Sequence, residues 1–437
     1  MMKKFLYIIL FFIFLYPAHS LELTDIESTL ADIFSSSIDP NEGNTVFRSL
    51  NIPSGGRTEA LGTAFTALSD DISFFDYNPA ASAILSNSEL AVYHNAWISD
   101  SALETLAFTR RDGNLGYGTQ LKCFYVPFTE YNLYGDRVAG SYYSETSLTF
   151  NTAYNFLSGY NFRGIAVGAN AKVSWRSIPD YTDNRDDSII SGSGLEQSAL
   201  GLMADAGAIV RFNFLKLYQD RNPNFKAGLA LNNFGIALTG FGSSIKKDDD
   251  TPARLSAGFS YRIYPRLLFT SEIRKPILLS DFSSSGKLSF CTGIEVNATE
   301  TFAFQLGFLL QGANPRFSLG SEFDIRGIKM DIAYTLDLTS SANPVNHISL
   351  SAKISFGDRG RKAAMEKVDE YYIEGLKLYA FGDYDAAILK WDEAIAIASS
   401  SPLNMKFEPA ILARDAAINF NKQKNELENL YSISFKD

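Results

Sequence analysis

Two acidic clusters, Asp183 to Asp187 and Asp248 to Asp250, carry the oxygen ligands that hard divalent cations prefer. Both sit in polar stretches between strand-like runs, where such charge runs ordinarily belong to solvated loop tips. His19 falls in an N-terminal leader, which leaves His94 and His347, far apart and without metal-ligand spacing. The chain has no Gly-x-Ser-x-Gly elbow, no phosphate loop and no paired thiols. Cys123 falls with the apolar residues of its strand and Cys291 with the polar residues of its own, so a disulfide between them fails on geometry. These residues argue against an enzyme and imply no metal and no cofactor. Binding and transport remain.

The elements that carry these residues are strands. Ile328, Met330, Ile332, Tyr334, Leu336 and Leu338 alternate with Lys329, Asp331, Thr335 and Asp337. Ile348, Leu350, Ala352, Ile354 and Phe356 alternate with serines and Lys353, and Phe302, Phe304, Leu306, Phe308 and Leu310 with Gln305, Gly307 and Gln311. A period of two over about 10 residues is that of a tilted strand crossing a bilayer. Of 437 residues, 14% are aromatic and 20% charged, yet no apolar run after the leader reaches the length of a membrane helix. Lipid is therefore met by strands, because in hydrocarbon only helices and closed barrels satisfy their own backbone.

Lys3 and Lys4, the apolar run Phe5 to Tyr16 and the small-residue site Ala18-His19-Ser20 predict a secretory signal peptide over residues 1–20. The formal net charge of −10 becomes −12 once Lys3 and Lys4 leave. No basic patch offsets it, which makes nucleic acid a poor partner. Residues 21–87 form an N-terminal extension, with a short helix over Asp25 to Phe34 capped by Thr24. Within it lies the most distinctive stretch outside the strands. Gly55, Gly56 and Gly62 punctuate a small-residue segment containing Phe65, the pair Asp70-Asp71 and Phe74, and Asn78-Pro79-Ala80 breaks it.

This segment resembles the N-terminal hatch of the FadL long-chain fatty-acid transporter family and its PorV-like outer-membrane relatives, most of all an uncharacterised group of FadL-like proteins from spirochaetes. The matching residues are Gly55, Gly56, Gly62, Asp70, Asp71, Asn78, Pro79 and Ala80. The resemblance implies a plug inside the barrel, passive uptake of hydrophobic molecules such as long-chain fatty acids, and a ligand path near Gly62, Phe65, Phe74, Asn78 and Pro79. A wide barrel also leaves a lumen its own side chains cannot fill.

Residues 88–357 read as about fourteen antiparallel strands, from Ser88 to Ile98 through His347 to Phe356, an even number as single-chain bacterial barrels require. Leu106, Ala107 and Phe108 blur the alternation, which marks a bend or a contact with the plug. Short links near Asp100, Gly113, Pro265, Glu300 and Gly327 are assigned to the periplasm. Long loops at Tyr131 to Tyr142, Pro179 to Gln197, Thr239 to Thr251 and Leu279 to Ser285 are assigned to the outside. Inward charges such as Arg254, Arg274, Glu322, Arg326 and Asp331 are expected to hold the plug.

After a hinge at Gly357 to Lys362, residues 363–437 turn helical. Tyr372, Gly375, Tyr384, Ala387 and Trp391 are spaced as in a tetratricopeptide helix pair, with Glu374 and the late Pro402 departing from the pattern. One such pair makes no long groove, so it needs the barrel rim or a partner. The expected protein is an outer-membrane barrel of a diderm bacterium, embedded in lipid, with a plug and a periplasmic tail whose Tyr372, Gly375, Tyr384 and Trp391 belong to partner-binding helices. The alternative function is an assembly or secretion partner that docks periplasmic proteins through that tail.

Overall fold

The computed structural model describes residues 44–434 apart from 69, 99, 133, 184–187, 243, 313 and 339–345. The expected signal peptide, the Thr24-capped helix and part of the first acidic cluster lie outside these residues.

Alternating residues become the two faces of a wall. In the strand Phe302–Gln311, Phe304 is 54% exposed and Gln305 1%; in Ile328–Asp337, Ile332 is 48% exposed and Asp331 1%. Apolar side chains therefore cover the outside and polar ones the inside, the inverse of a soluble sandwich and the pattern of a membrane barrel. The strands run β1 Glu89–Ala96, β2 Ala102–Asp112, β3 Leu115–Tyr131, β4 Arg137–Phe156, β5 Ile165–Ser177, β6 Ala199–Phe212 and β7 Phe225–Thr239. After the two-residue β8, Lys246–Lys247, come β9 Ala253–Tyr264, β10 Leu267–Ile277, β11 Ser289–Asn297, β12 Phe302–Gln311, β13 Asn314–Ile325, β14 Ile328–Asp337 and β15 His347–Ser355. Each long strand pairs antiparallel with its neighbours, β7 pairs β9 directly, and β1 closes the ring on β15 from Glu89↔Ser355 to Ala96↔Ile348. The barrel has the fourteen strands expected. Closure removes the free edges that lipid would leave unsatisfied.

Several boundaries differ from expectation. β3 and β4 continue to Tyr131 and back from Arg137, so most of the expected loop Tyr131 to Tyr142 is a two-stranded ribbon. Above Tyr125↔Ala102 that ribbon has no partner on its β2 side, because β1 and β2 turn back at Trp97 to Ser101. The Asp100 turn consequently lies at the long-loop end of the barrel, not with the other short turns. Arg326 sits exposed in the β13–β14 turn with φ 55 instead of lining the lumen. The blurred stretch in β2 contains no bend. Its register against β1 is unbroken, and Ala107 faces inward against the plug.

Residues 44–68 and 70–87 lie inside. The turn of helix α1, Arg57–Ala60, packs on β12, β13 and β14; the 3-10 turns Ile72–Asp76 and Pro79–Ala83 pack on β1 to β6. In the loop before β6 is the short helix α2, Ser193–Gln197. Beyond Gly357 three helices follow, α3 Arg361–Ala380, α4 Tyr384–Ser399 and α5 Glu408–Ser434, at the end of the barrel that carries the short turns. They dock on that rim. Lys406 N donates to Ser158 O at 3.0 Å, Tyr160 N to Lys406 O at 2.9 Å, and Arg359 pairs with Asp112 at 3.0 Å.

Candidate functional site

The plug descends from the long-loop end, where Thr45 bridges to Asp250 and Phe47 packs on Ala199, Met203 and Ala237. It then travels around the inner wall. Its backbone fits there because the wall is stripped of side chains where it passes. A β-carbon at Gly307 would lie 1.9 Å from Gly62 N, one at Gly207 2.1 Å from Asn78 Oδ1, and one at Gly116 2.2 Å from the Ser82 carbonyl carbon. Gly320, Gly293, Gly228 and Gly168 face Ala60, Leu61, Thr66 and Pro79 in the same way. Glycine inside a strand weakens it and commonly marks close approach of another backbone. The plug has its own reciprocal demand at Gly56 and Gly62, with φ 61 and 60 and neighbours at 2.5 Å from any added β-carbon.

Charges fasten the segment. Arg57 Nε donates to Glu295 Oε2 at 2.6 Å, and Nη1 donates to Asp70 Oδ1 at 2.8 Å and Asp71 Oδ2 at 2.9 Å. Lys353 Nζ lies 2.9 Å from both Asp71 and Asp331. Glu295 therefore ties α1 to β11, and Asp71 ties it to β15 through Lys353. Asp71 also caps its 3-10 turn through Ser73 N at 2.8 Å. Asn78 accepts from Ala80 N at 3.1 Å, and its amide donates to Thr66 O at 2.9 Å and to Ala208 O and Leu229 O at 3.2 Å, tying the Asn-Pro-Ala corner to β6 and β7. Pro79 opens the following turn, where it withholds no needed donor. Glu272 receives Phe65 N at 2.9 Å and Thr66 N at 2.8 Å.

Two cavities flank the Arg57 to Gly62 segment. The one toward the long loops, about 380 Å³, is apolar on its β1–β3 side, with Trp97, Ile98 and Phe124 beside Ile52 and Pro53. Its β10–β14 side is mainly polar, with Arg274, Gln311, Arg316, Ser318 and Thr335 around Leu309, while Arg48, Glu59, Tyr143, Glu145 and His347 also line it. His347 Nε2 is 2.8 Å from Glu59 Oε1, and its ring meets Trp97 at 4.2 Å. The cavity toward the tail, about 290 Å³, is lined by Arg266, Asn297, Glu300, Glu322 and Lys329 among others. One strand shows the partition. On β13, Ser318 faces the first cavity, Gly320 meets Ala60, and Glu322 faces the second.

Of the residues expected on a ligand path, the structure brings Gly62 to the upper cavity. Phe65, Phe74, Asn78, Pro79 and Ala80 are buried in the packing that seats the plug, Gly55 and Gly56 rest against Ser349 and Ser351, and Asp70 and Asp71 hold Arg57. Trp97, Ile98, Phe124 and Arg316 were not singled out by sequence, since nothing local marks them. The wall glycines carried a usable signal, that of Gly inside a strand. In the tail, Trp391 is buried, its Nε1 donates to Tyr372 O at 3.2 Å, and a β-carbon at Gly375 would lie 2.4 Å from Nε1. Tyr384 meets Tyr379 edge-on and Phe420 at a tilt, with ring centroids 5.2 and 5.0 Å apart. Gly375 and Trp391 are buried between the helices, while Tyr372 and Tyr384 join the same packing and stay partly exposed.

Among the described residues no cluster has metal-ligand geometry. Asp248 pairs with Arg176 at 2.9 Å. Desolvation pushes the Asp250 carboxyl up, but the Ser280 hydroxyl and amide and Lys247 hold it below the usual range. Its acceptors are committed to closing the loops.

The chain belongs to the uncharacterised protein family UPF0164, whose model matches residues 24–359 and so stops just before α3. A UPF0164 protein of Treponema pallidum (strain Nichols) is 30% identical over 402 residues, covering 90% of this chain and 87% of the relative. A second from the same organism is 29% identical over 378 residues, covering 83% and 73%. Among solved structures, the CymD monoaromatic hydrocarbon channel aligns with a TM-score of 0.47 at 14% identity, over 70% of this chain and 99% of that one. A Pseudomonas aeruginosa FadL homologue aligns with a TM-score of 0.45 at 12% identity, over 69% and 98%.

Proposed function

We propose that this member of UPF0164 is a passive outer-membrane channel for hydrophobic and amphiphilic small molecules, with long-chain fatty acids as its substrate class. The observation that carries the reading is the cavity of about 380 Å³ above the plug, mainly apolar toward β1–β3 and mainly polar toward β10–β14. Ligand sites of this size with an apolar wall and a few convergent polar groups suit a molecule with one apolar and one polar end. A fatty-acid chain lies against Trp97, Ile98 and Phe124, with its carboxylate toward Arg274 and Arg316. Passage follows when Arg57 to Gly62 leaves the β11–β13 wall and joins the two cavities. The tail faces the periplasm, because it shares its end of the barrel with the short turns.

Binding of a fluorescent long-chain fatty acid to the detergent-solubilised protein tests this. Ile98→Asp should weaken it at least tenfold, and an unchanged affinity, or no binding by the parent, would sink the proposal.

A second reading, a docking partner in assembly or secretion, has one observation in its favour. The distal part of α5 projects past the start of α4 with Leu427, Leu430 and Tyr431 exposed. Cross-linking that recovers a periplasmic protein from this surface, together with no ligand binding, would favour it.

A further inference from the structure

A third cavity lies outside the lumen, where the tail meets the outer wall of the barrel. It measures about 390 Å³ and is lined by Tyr154, Ile395, Met405, Lys406, Phe407 and Ile411 among others. Tyr154 is 45% exposed on the outward face of β4, two residues before its end, beside Phe156 with ring centroids 4.8 Å apart. Outward aromatics at a strand end are the girdle that marks the edge of the hydrocarbon. The groove is thus continuous with the lipid-facing surface on one side and roofed by α4, α5 and the segment between them on the other.

We infer that this groove is a lipid site, which seats an acyl chain of a glycerophospholipid from the tail-side leaflet with its headgroup beside Lys406. Tyr154 stands on the lipid-facing side of the wall, and Ile395, Met405, Phe407 and Ile411 carry an apolar lining onward from it, interspersed with Asn114, Ser399 and Asn404. Lys406 is exposed at the rim, where a long cationic side chain meets a phosphate while its stem stays on apolar surface. The groove is a fixed feature, since Lys406 itself is bonded through its backbone to Ser158 and Tyr160. The tail is then a membrane-seated element whose position is set by lipid as well as by the rim.

The inference rests on the barrel lying in a membrane, so the test separates the two. The full-length protein is reconstituted into vesicles of phosphatidylethanolamine and phosphatidylglycerol with brominated acyl chains. Single tryptophans are added at Ile411→Trp or Ser399→Trp in the groove, at Phe304→Trp on the outer wall, and at Leu430→Trp on the distal tail. Ser399 is exposed, so its variant folds even if Ile411→Trp perturbs α5. Fluorescence is read as the difference from the parent, which contains Trp97, Trp175 and Trp391. At least a twofold loss at the groove positions and at Phe304, with Leu430 unquenched, is the expected result. Quenching at Phe304 alone overturns the lipid site and leaves the barrel in the membrane; equal quenching at Leu430 overturns it too, because the whole tail would then be immersed. No quenching at Phe304 removes the membrane premise and the site with it.

Discussion

The backbone nitrogen of Gly62 lies 1.9 Å from the point where a β-carbon on Gly307 would stand. Plug and wall are therefore in contact backbone to backbone, with no side chain between them to yield. Gly307→Val should unseat the Arg57 to Gly62 segment while leaving β12 able to pair, since valine favours strands. The expected outcome is a barrel that inserts normally and shows higher conductance in planar bilayers than the parent. Conductance equal to the parent would mean the plug does not close the lumen here.

Arg57 sits against Glu295, Asp70 and Asp71 with little exposure. Removing one partner of a buried charged cluster typically costs about 3–5 kcal/mol, because the others keep their desolvation without their attraction. Arg57→Met should release α1 and raise both conductance and the rate of ligand passage. Arg57→Lys keeps the charge but loses the forked geometry, so its effect should fall between. If Arg57→Met slows passage instead, the segment guides the ligand and does not block it.

Ile332 and Thr335 stand on opposite faces of β14, outward and inward, and Thr335 lines the upper cavity. Ile332→Arg should cost roughly 2–4 kcal/mol near the bilayer midplane and reduce heat-resistant folded barrel on gels. Thr335→Arg has the cavity to occupy, so it should fold and instead lower fatty-acid binding. Equal damage from both would contradict the two-faced wall.

The barrel was legible because a period of two survives wherever one face meets lipid and the other a polar lumen. Strand ends were less so. β3 and β4 keep pairing to Tyr131 and Arg137, beyond the last residues of β2, where one face no longer packs on a neighbouring wall and the alternation loses its cause. The hatch residues identified the plug, but their roles divided only in space: Asn78 anchors β6 and β7, Asp71 holds Arg57 and Lys353, and Gly62 alone of that set reaches the upper cavity. That cavity gathers Ile52, Trp97, Phe124, Arg274 and Arg316 from separate strands and the plug, a convergence no local pattern encodes. The sequence marks Trp391 as the filler of room left by Ala387 and Gly382; in the structure Gly375 and Ala387 leave that room, while Gly382 stands open in the turn between α3 and α4.

That packing makes the tail separable from the barrel in a defined way. Trp391 fills the seam between α3 and α4, with Ala387, Ala394 and Phe407 in the same core, and Tyr160 of the barrel rim meets Phe407 edge to face at 5.1 Å. Trp391→Ala should therefore cost about 3–5 kcal/mol, a large share of the stability of a unit this small. The barrel draws its closure from β1 and β15 and its plug from residues before β1, so neither depends on Trp391. Limited proteolysis should cut Trp391→Ala within the helices and leave a protected fragment ending near Gly357, still heat-resistant and still binding fatty acid. A variant that loses the barrel together with the helices would show that the rim contacts at Ser158 and Tyr160 carry folding in both directions. Loss of fatty-acid binding from an intact barrel would place the tail within the transport path.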